Sequence, residues 1–120
     1  MAKKVHDDVL DAMLDKIGTA TLMIATDAEP ADRAAAVTNS LADAVMTGGD
    51  FTNANGDTSG RKVTVAQKAS QAIDATGNAN HINLVDASIL LYVTTCTTQA
   101  LTSGGTVTFP AWDIEVADPT

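Results

Sequence analysis

Asp50, Asn53, Asn55 and Asp57 bring four oxygen-bearing side chains together between residues 50 and 57. Oxygen ligands suit calcium, but a calcium loop sets its carboxylates at fixed alternate positions and closes the shell with a bidentate Glu. Here the spacing is irregular and no Glu follows, so the stretch reads as a turn whose Asx side chains bond their own backbone. His81 could serve as a ligand or a base. No His, Cys or carboxylate stands at ligand spacing from it, and it reads as a satisfied residue at a strand end. Asp86-Ala87-Ser88 sets a carboxylate beside a hydroxyl but reads as turn chemistry between two strands. There is no Gly-x-Ser-x-Gly elbow, no phosphate-cradling glycine loop and no His-x-x-x-His pair. Asp7, Asp11 and Asp15 recur every four residues, the mark of a solvated helix side rather than an acid/base couple. Cys96 is the sole cysteine, so an intrachain disulfide is impossible. A reactive thiolate needs a basic neighbour, and neither His6 nor His81 is near it in sequence; Cys96 reads as a small buried residue. No catalytic, cofactor-binding or metal-binding residue is assigned, and the chain is expected not to be an enzyme.

The elements that carry these residues are mostly strands. The one clear helix covers residues 5–17: Val5, Val9, Met13 and Ile17 recur every four residues, Leu10 and Leu14 widen the stripe, and Asp7, Asp8, Asp11, Asp15 and Lys16 lie opposite. Acidic residues suit its first turn and Gly18 its end. The stripe is expected to pack on the sheet, the alternative being that it docks on a partner subunit. Residues 19–26 have strand composition, ended by Asp27 to Pro30. A short helical turn is expected at Asp32 to Ala36 and a strand near Leu41 to Met46. Gly48 to Asp50 and Asn53 to Gly60 read as turn chemistry around a lone Phe51, with Asn55-Gly56 a tight-turn pair at positive φ. Arg61 to Ala66 alternates, Ala72-Ile73 extends or resumes it, and Gly77-Asn78 turns into the next strand of a meander. That next stretch, His81 to Thr97, is the densest in aliphatic and β-branched residues. Ile82, Leu84 and Val85 make an alternating strand, and Ile89 to Val93 runs apolar on both faces, as in the middle of a sheet. Gly104-Gly105 turns the chain into Val107 to Phe109, and Pro110 forces a bend before Trp112 to Val116.

The chain reads as one mainly β domain over residues 1–120, an antiparallel β-sandwich or barrel-like fold with one N-terminal amphipathic helix and strands from about 19 to 117. At 120 residues it can bury roughly two-thirds of the surface that its unfolded chain exposes. Its hydrophobic content is 45% but only 3% is aromatic, so the core must be built from small branched side chains. Seven basic residues against fifteen acidic ones give a net charge of −8. With the cations scattered, this argues against a nucleic-acid partner. No apolar run approaches a bilayer-spanning length, and Asp7, Asp8 and Asp11 interrupt what would be the core of a signal peptide, so no membrane partner is expected and the chain is expected to be made in the cytoplasm.

Three stretches carry a resemblance: residues 2–11, the run Gly56-Asp57-Thr58-Ser59-Gly60-Arg61-Lys62-Val63-Thr64-Val65, and Leu90 to Cys96 together with Pro110-Ala111-Trp112-Asp113-Ile114. They look like a group of small proteins from the structural gene clusters of tailed bacteriophages, along nearly the whole chain. The chain departs from that pattern at Asp32 to Ala36, which is Ala-rich and helical in tendency where an extended segment is expected. The resemblance implies a virion protein assembled in the bacterial host cytoplasm. The first expectation is a capsid decoration, or cement, protein on the outer capsid surface, bound to the major capsid protein and to copies of itself, with a trimer suited to local three-fold positions. Val5, Val9, Met13, Trp112, Ile114 and Val116 are then the candidate subunit contacts. A neck or tail component, such as a connector or fibre-attachment protein, is the alternative. A third reading, of a different class, is a monomeric ligand-binding or enzymatic domain using His81 and the Asp50 to Asp57 loop.

Overall fold

The computed structural model describes residues 5–118. Helix α1 (Asp7–Ile17) starts where the His6 side chain accepts the Asp8 backbone N–H, with Asp7 and Asp8 in the first turn and Lys16 in the last. It ends at Gly18, where a Cβ would lie 3.3 Å from the Asp15 carbonyl oxygen. Strand β1 (Leu22–Thr26) follows, then a short helix α2 (Arg33–Thr38) capped by Asp32, whose side chain accepts the Ala35 N–H at 2.8 Å. The remaining strands are β2 (Ala42–Val45), β3 (Phe51–Asn55), β4 (Arg61–Val65), β5 (Lys68–Ala72), β6 (Gly77–Val85), β7 (Leu90–Leu101), β8 (Thr106–Phe109) and β9 (Trp112–Val116).

The fold is mainly β, with antiparallel sheets and one longer helix at the N-terminal end. One sheet runs β2-β1-β6-β7, a second β3-β4-β9, and β5 pairs with β8 in a third. A single core joins all three: Met23, Ala44 and Leu84 from the first, Val63, Val65 and Ile114 from the second, Phe109 from the third, and Leu14 from α1. A smaller cluster of Ile24, Ala36 and Val85 holds α2 on the other face of the first sheet. Beneath it, buried Asn83 donates to the Ile24 carbonyl and to Thr26 Oγ1, both at 3.0 Å.

Several local expectations are corrected. The apolar run at the start of β7 does not lie mid-sheet; β7 is an edge strand and β6 occupies the interior. Its two-faced apolarity comes from the layers above and below, since Leu90 packs on the α2 cluster while Leu91 and Tyr92 pack on the main core. Phe51 is not alone in a loop: residues 51–55 form β3, paired residue for residue with β4. Gly77-Asn78 is not a turn but the first part of β6, opposite Leu101 and Ala100. In the β3–β4 turn the positive φ falls on Gly60 (φ 70°), not on Asn55 or Gly56. Gly56 is required for space instead, because a Cβ there would collide with the Ser59 carbonyl oxygen. On α1 the buried row is Leu10 and Leu14, while Val9 and Met13 are 53% and 54% exposed. The packed face is therefore rotated by about 100° from the Val9–Met13 row.

Candidate functional site

From Ala87 to Trp112 the sequence holds no charged residue and no histidine, although the chain as a whole carries −8. This run supplies β7, the turn at residues 102–105 and β8. Strands joined by so short a turn ordinarily pair as a hairpin. Here β7 stays with β6 and β8 with β5, so the two part company. The turn itself holds them apart: Gly104 N–H donates to the Ile73 carbonyl at 3.2 Å, and Ile73 N–H to the Gly105 carbonyl at 3.0 Å, tying it to the end of β5. Between the diverging strands lies a groove of about 750 Å³.

One wall of the groove is Thr94-Thr95-Cys96-Thr97 and the other is Thr106-Val107-Thr108-Phe109. Side chains of a strand point alternately to its two faces, so a wall made by consecutive residues is a strand edge. The floor includes the core residues Ala79, Leu101 and Phe109. Trp112 stands at the lining with its ring 6.0 Å from that of Tyr92, and its Nε1–H points to Met23 Sδ at 3.5 Å. Such a groove offers hydroxyls, open backbone, the single thiol of Cys96 and an apolar floor; its lining holds no histidine and no charged side chain.

The β6–β7 register shows how the edge is shaped. Ala79 lies opposite Gln99 and His81 opposite Thr95, leaving Cys96, Thr97 and Thr98 against Asn80 alone. This bulge turns the Cys96 segment outward, and Cys96 is exposed, which corrects its expected burial. Partial burial of the thiol in the groove wall still pushes its pKa above the ordinary value. His81 stands within β6 rather than at a strand end, with Nδ1 facing Asn80 Oδ1.

The oxygen-rich residues 50–57 do not converge. Asp50 accepts from the Thr47 N–H at 2.8 Å and pairs with Lys68 at 2.9 Å, Asn53 donates to Asp15, Asn55 accepts from Arg61, and Asp57 pairs with Lys62. Burial pulls the Asp50 carboxyl upward, but the Thr47 N–H and Lys68 outweigh it and hold it below the usual range. Among the described residues no group of His, Cys, Asp and Glu is arranged to hold a metal. Asp86 accepts the Ile89 and Ser88 N–H groups, both at 2.7 Å, which lowers its pKa and makes the turn expected between β6 and β7.

The five described Lys and Arg side chains are all engaged within the chain. Lys16 pairs with Asp86, Arg61 with Asp11, Lys62 with Asp57 and Asp113, and Lys68 with Asp50, while Arg33 Nε donates to the Asp86 carbonyl. The Asp11 carboxylate raises the Arg61 pKa, and the Asp57 carboxylate that of Lys62. Asp11 and Asp15 thus fasten α1 to β4 and β3, Asp11 partly shielded and Asp15 still exposed. Among the described residues no helix is long and apolar enough to cross a membrane.

The candidate contacts fall in three places. Val9 and Met13, one turn apart, form an exposed apolar step on α1, with Val5 half-buried ahead of them. Trp112 and Val116 are half-buried on β9. Ile114 is 4% exposed and belongs to the core opposite Val63, so it cannot touch a partner. The groove was missed by residue-by-residue reading; the absence of charge from Ala87 to Trp112 is the signal that could have marked it. Comparison with protein-family models, with curated proteins and with solved structures returns no match.

Proposed function

We propose that this chain is a non-enzymatic structural protein of a tailed-bacteriophage virion, decorating the outer surface of the capsid and stabilising it by binding the major capsid protein and neighbouring copies of itself. The observation that carries this reading is the distribution of charge. Fifteen carboxylates outnumber the seven cations, of which the five described are engaged within the chain, yet one continuous stretch, from Ala87 to Trp112, presents an uncharged groove and an open strand edge. A surface of that kind suits burial against protein, while the net charge of −8 suits the outside of a shell, away from phosphate. The resemblance of residues 56–65, 90–96 and 110–114 to small phage structural proteins points the same way. Val9 and Met13 offer a second apolar step. Symmetric repetition multiplies such modest contacts into a large total stabilisation, and a trimer suits local three-fold positions.

The test is reconstitution. Shells lacking this chain are mixed with the purified protein, and bound copies and resistance to heat and urea are measured. Saturable binding at a fixed fraction of the shell subunits, with a raised melting temperature, supports the proposal. Failure to bind intact shells overturns it.

A further inference from the structure

We propose that the groove between β7 and β8 receives one extended, uncharged segment of a partner polypeptide, which adds as a strand. Both walls are edges with one side open: among the described residues β7 pairs only with β6, and β8 only with β5. Open N–H and C=O groups must bond to water or to another chain, and a sheet edge is a template for pairing. Protected edges usually carry Lys, an inward charge or Pro, or are kept very short. Strand β7 is 12 residues long and carries no Lys, charge or Pro; the bulge at Cys96 to Thr98 is its one protective feature along the groove, while the facing β8 is short, four residues ending before Pro110.

The groove also selects its occupant. A second copy offering its own β7 edge arrives with β6 attached to the other side of that strand, where the β8 wall already stands; a lone extended segment carries no such neighbour. An acidic segment is repelled by a chain of −8, and a basic one is drawn to the carboxylate-rich surface rather than to a lining without charge. The fitting segment therefore alternates apolar residues, directed at the floor of Ala79, Leu101 and Phe109, with small hydroxyl residues directed outward. This inference goes beyond the assembly proposed above and holds whichever particle the chain serves.

The probe is the capped peptide Ac-Thr-Val-Thr-Val-Thr-Val-NH2, titrated to about 1 mM into the isotope-labelled full chain while backbone amides are followed by NMR. The expected result is saturable shifts and slowed hydrogen exchange confined to residues 94–97 and 106–109. Replacing one central Val of the peptide by Glu or Lys, N-methylating alternate peptide nitrogens, or making Thr97→Lys in the protein should each weaken binding at least tenfold. No shift at the highest concentration overturns the proposal, as do shifts centred elsewhere. Equal binding of the N-methylated peptide would make the groove an apolar small-molecule site, and concentration-dependent shifts of the same amides without peptide would make a second copy the occupant; either result also overturns it.

Discussion

Arg61 Nε donates to Asp11 Oδ1 at 2.8 Å, joining the middle of α1 to the first residue of β4 across fifty positions of sequence. Both side chains are partly shielded, at 19% and 26% exposure, and Arg61 also reaches Asn55 through Nη1. The buried Leu10 and Leu14 set which side of α1 meets the sheet and leave Val9 and Met13 outward, and the pair ties that helix to β4.

Removing either partner should loosen α1 without unfolding the domain. Asp11→Asn and Arg61→Gln are each expected to lower Tm by a few degrees, and the double variant by little more than the worse single one, because the two act through one interaction. Thermal melts together with amide exchange along α1 check this; additive losses would show that the pair does not act as a unit.

The two apolar rows of α1 should respond in opposite ways. Leu14 is fully buried, and Leu14→Ala is expected to cost about 2–5 kcal/mol in denaturant unfolding. Val9→Glu and Met13→Glu change exposed residues and should leave the unfolding midpoint nearly unchanged while reducing binding to shells. A destabilised Val9→Glu would place that row inside the fold after all.

Acid should weaken the fold through Asp50 and Asp86. Both carboxyls lie below their ordinary value of 3.8, Asp50 because the Thr47 N–H and Lys68 outweigh burial, Asp86 because of the Ile89 and Ser88 N–H groups. A depressed folded-state pKa contributes stability that is complete above the unfolded value and is lost as pH falls through the folded one. Stability from these groups should therefore hold from neutrality down towards 3.8 and decline below it. Asp50→Asn with Asp86→Ala should be less stable at neutral pH and flatter in acid; curves of equal slope would remove these two residues from the account.

Cys96 should be open to reagents in the native protein. Its exposure predicts full labelling by a maleimide without denaturant, and its raised pKa predicts a slow reaction at neutral pH that accelerates as pH approaches and passes 9.0. Labelling that requires denaturant would return the residue to the core.

The sequence made some of this legible and hid the rest for physical reasons. Periodicity located α1, the Ala-rich run Asp32 to Ala36 marked a helical turn where α2 begins, and alternation marked β4, because each is a local pattern. The strand at Phe51 was hidden since Asn53 and Asn55, typical turn residues, are used here to bond Asp15 and Arg61 across elements. The edge position of β7 was hidden because its apolar residues face helices and sheets distant in sequence. Nor can any local pattern show a hairpin splayed by Ile73, whose two hydrogen bonds reach the turn from the end of β5.

The most direct test of the proposed role is the copy number of this chain relative to the major capsid protein in purified particles, measured by quantitative mass spectrometry. The account predicts a ratio near one or a simple large fraction of one. A handful of copies per particle would contradict the decoration reading and move the chain to the neck or tail, and none at all would remove it from the virion.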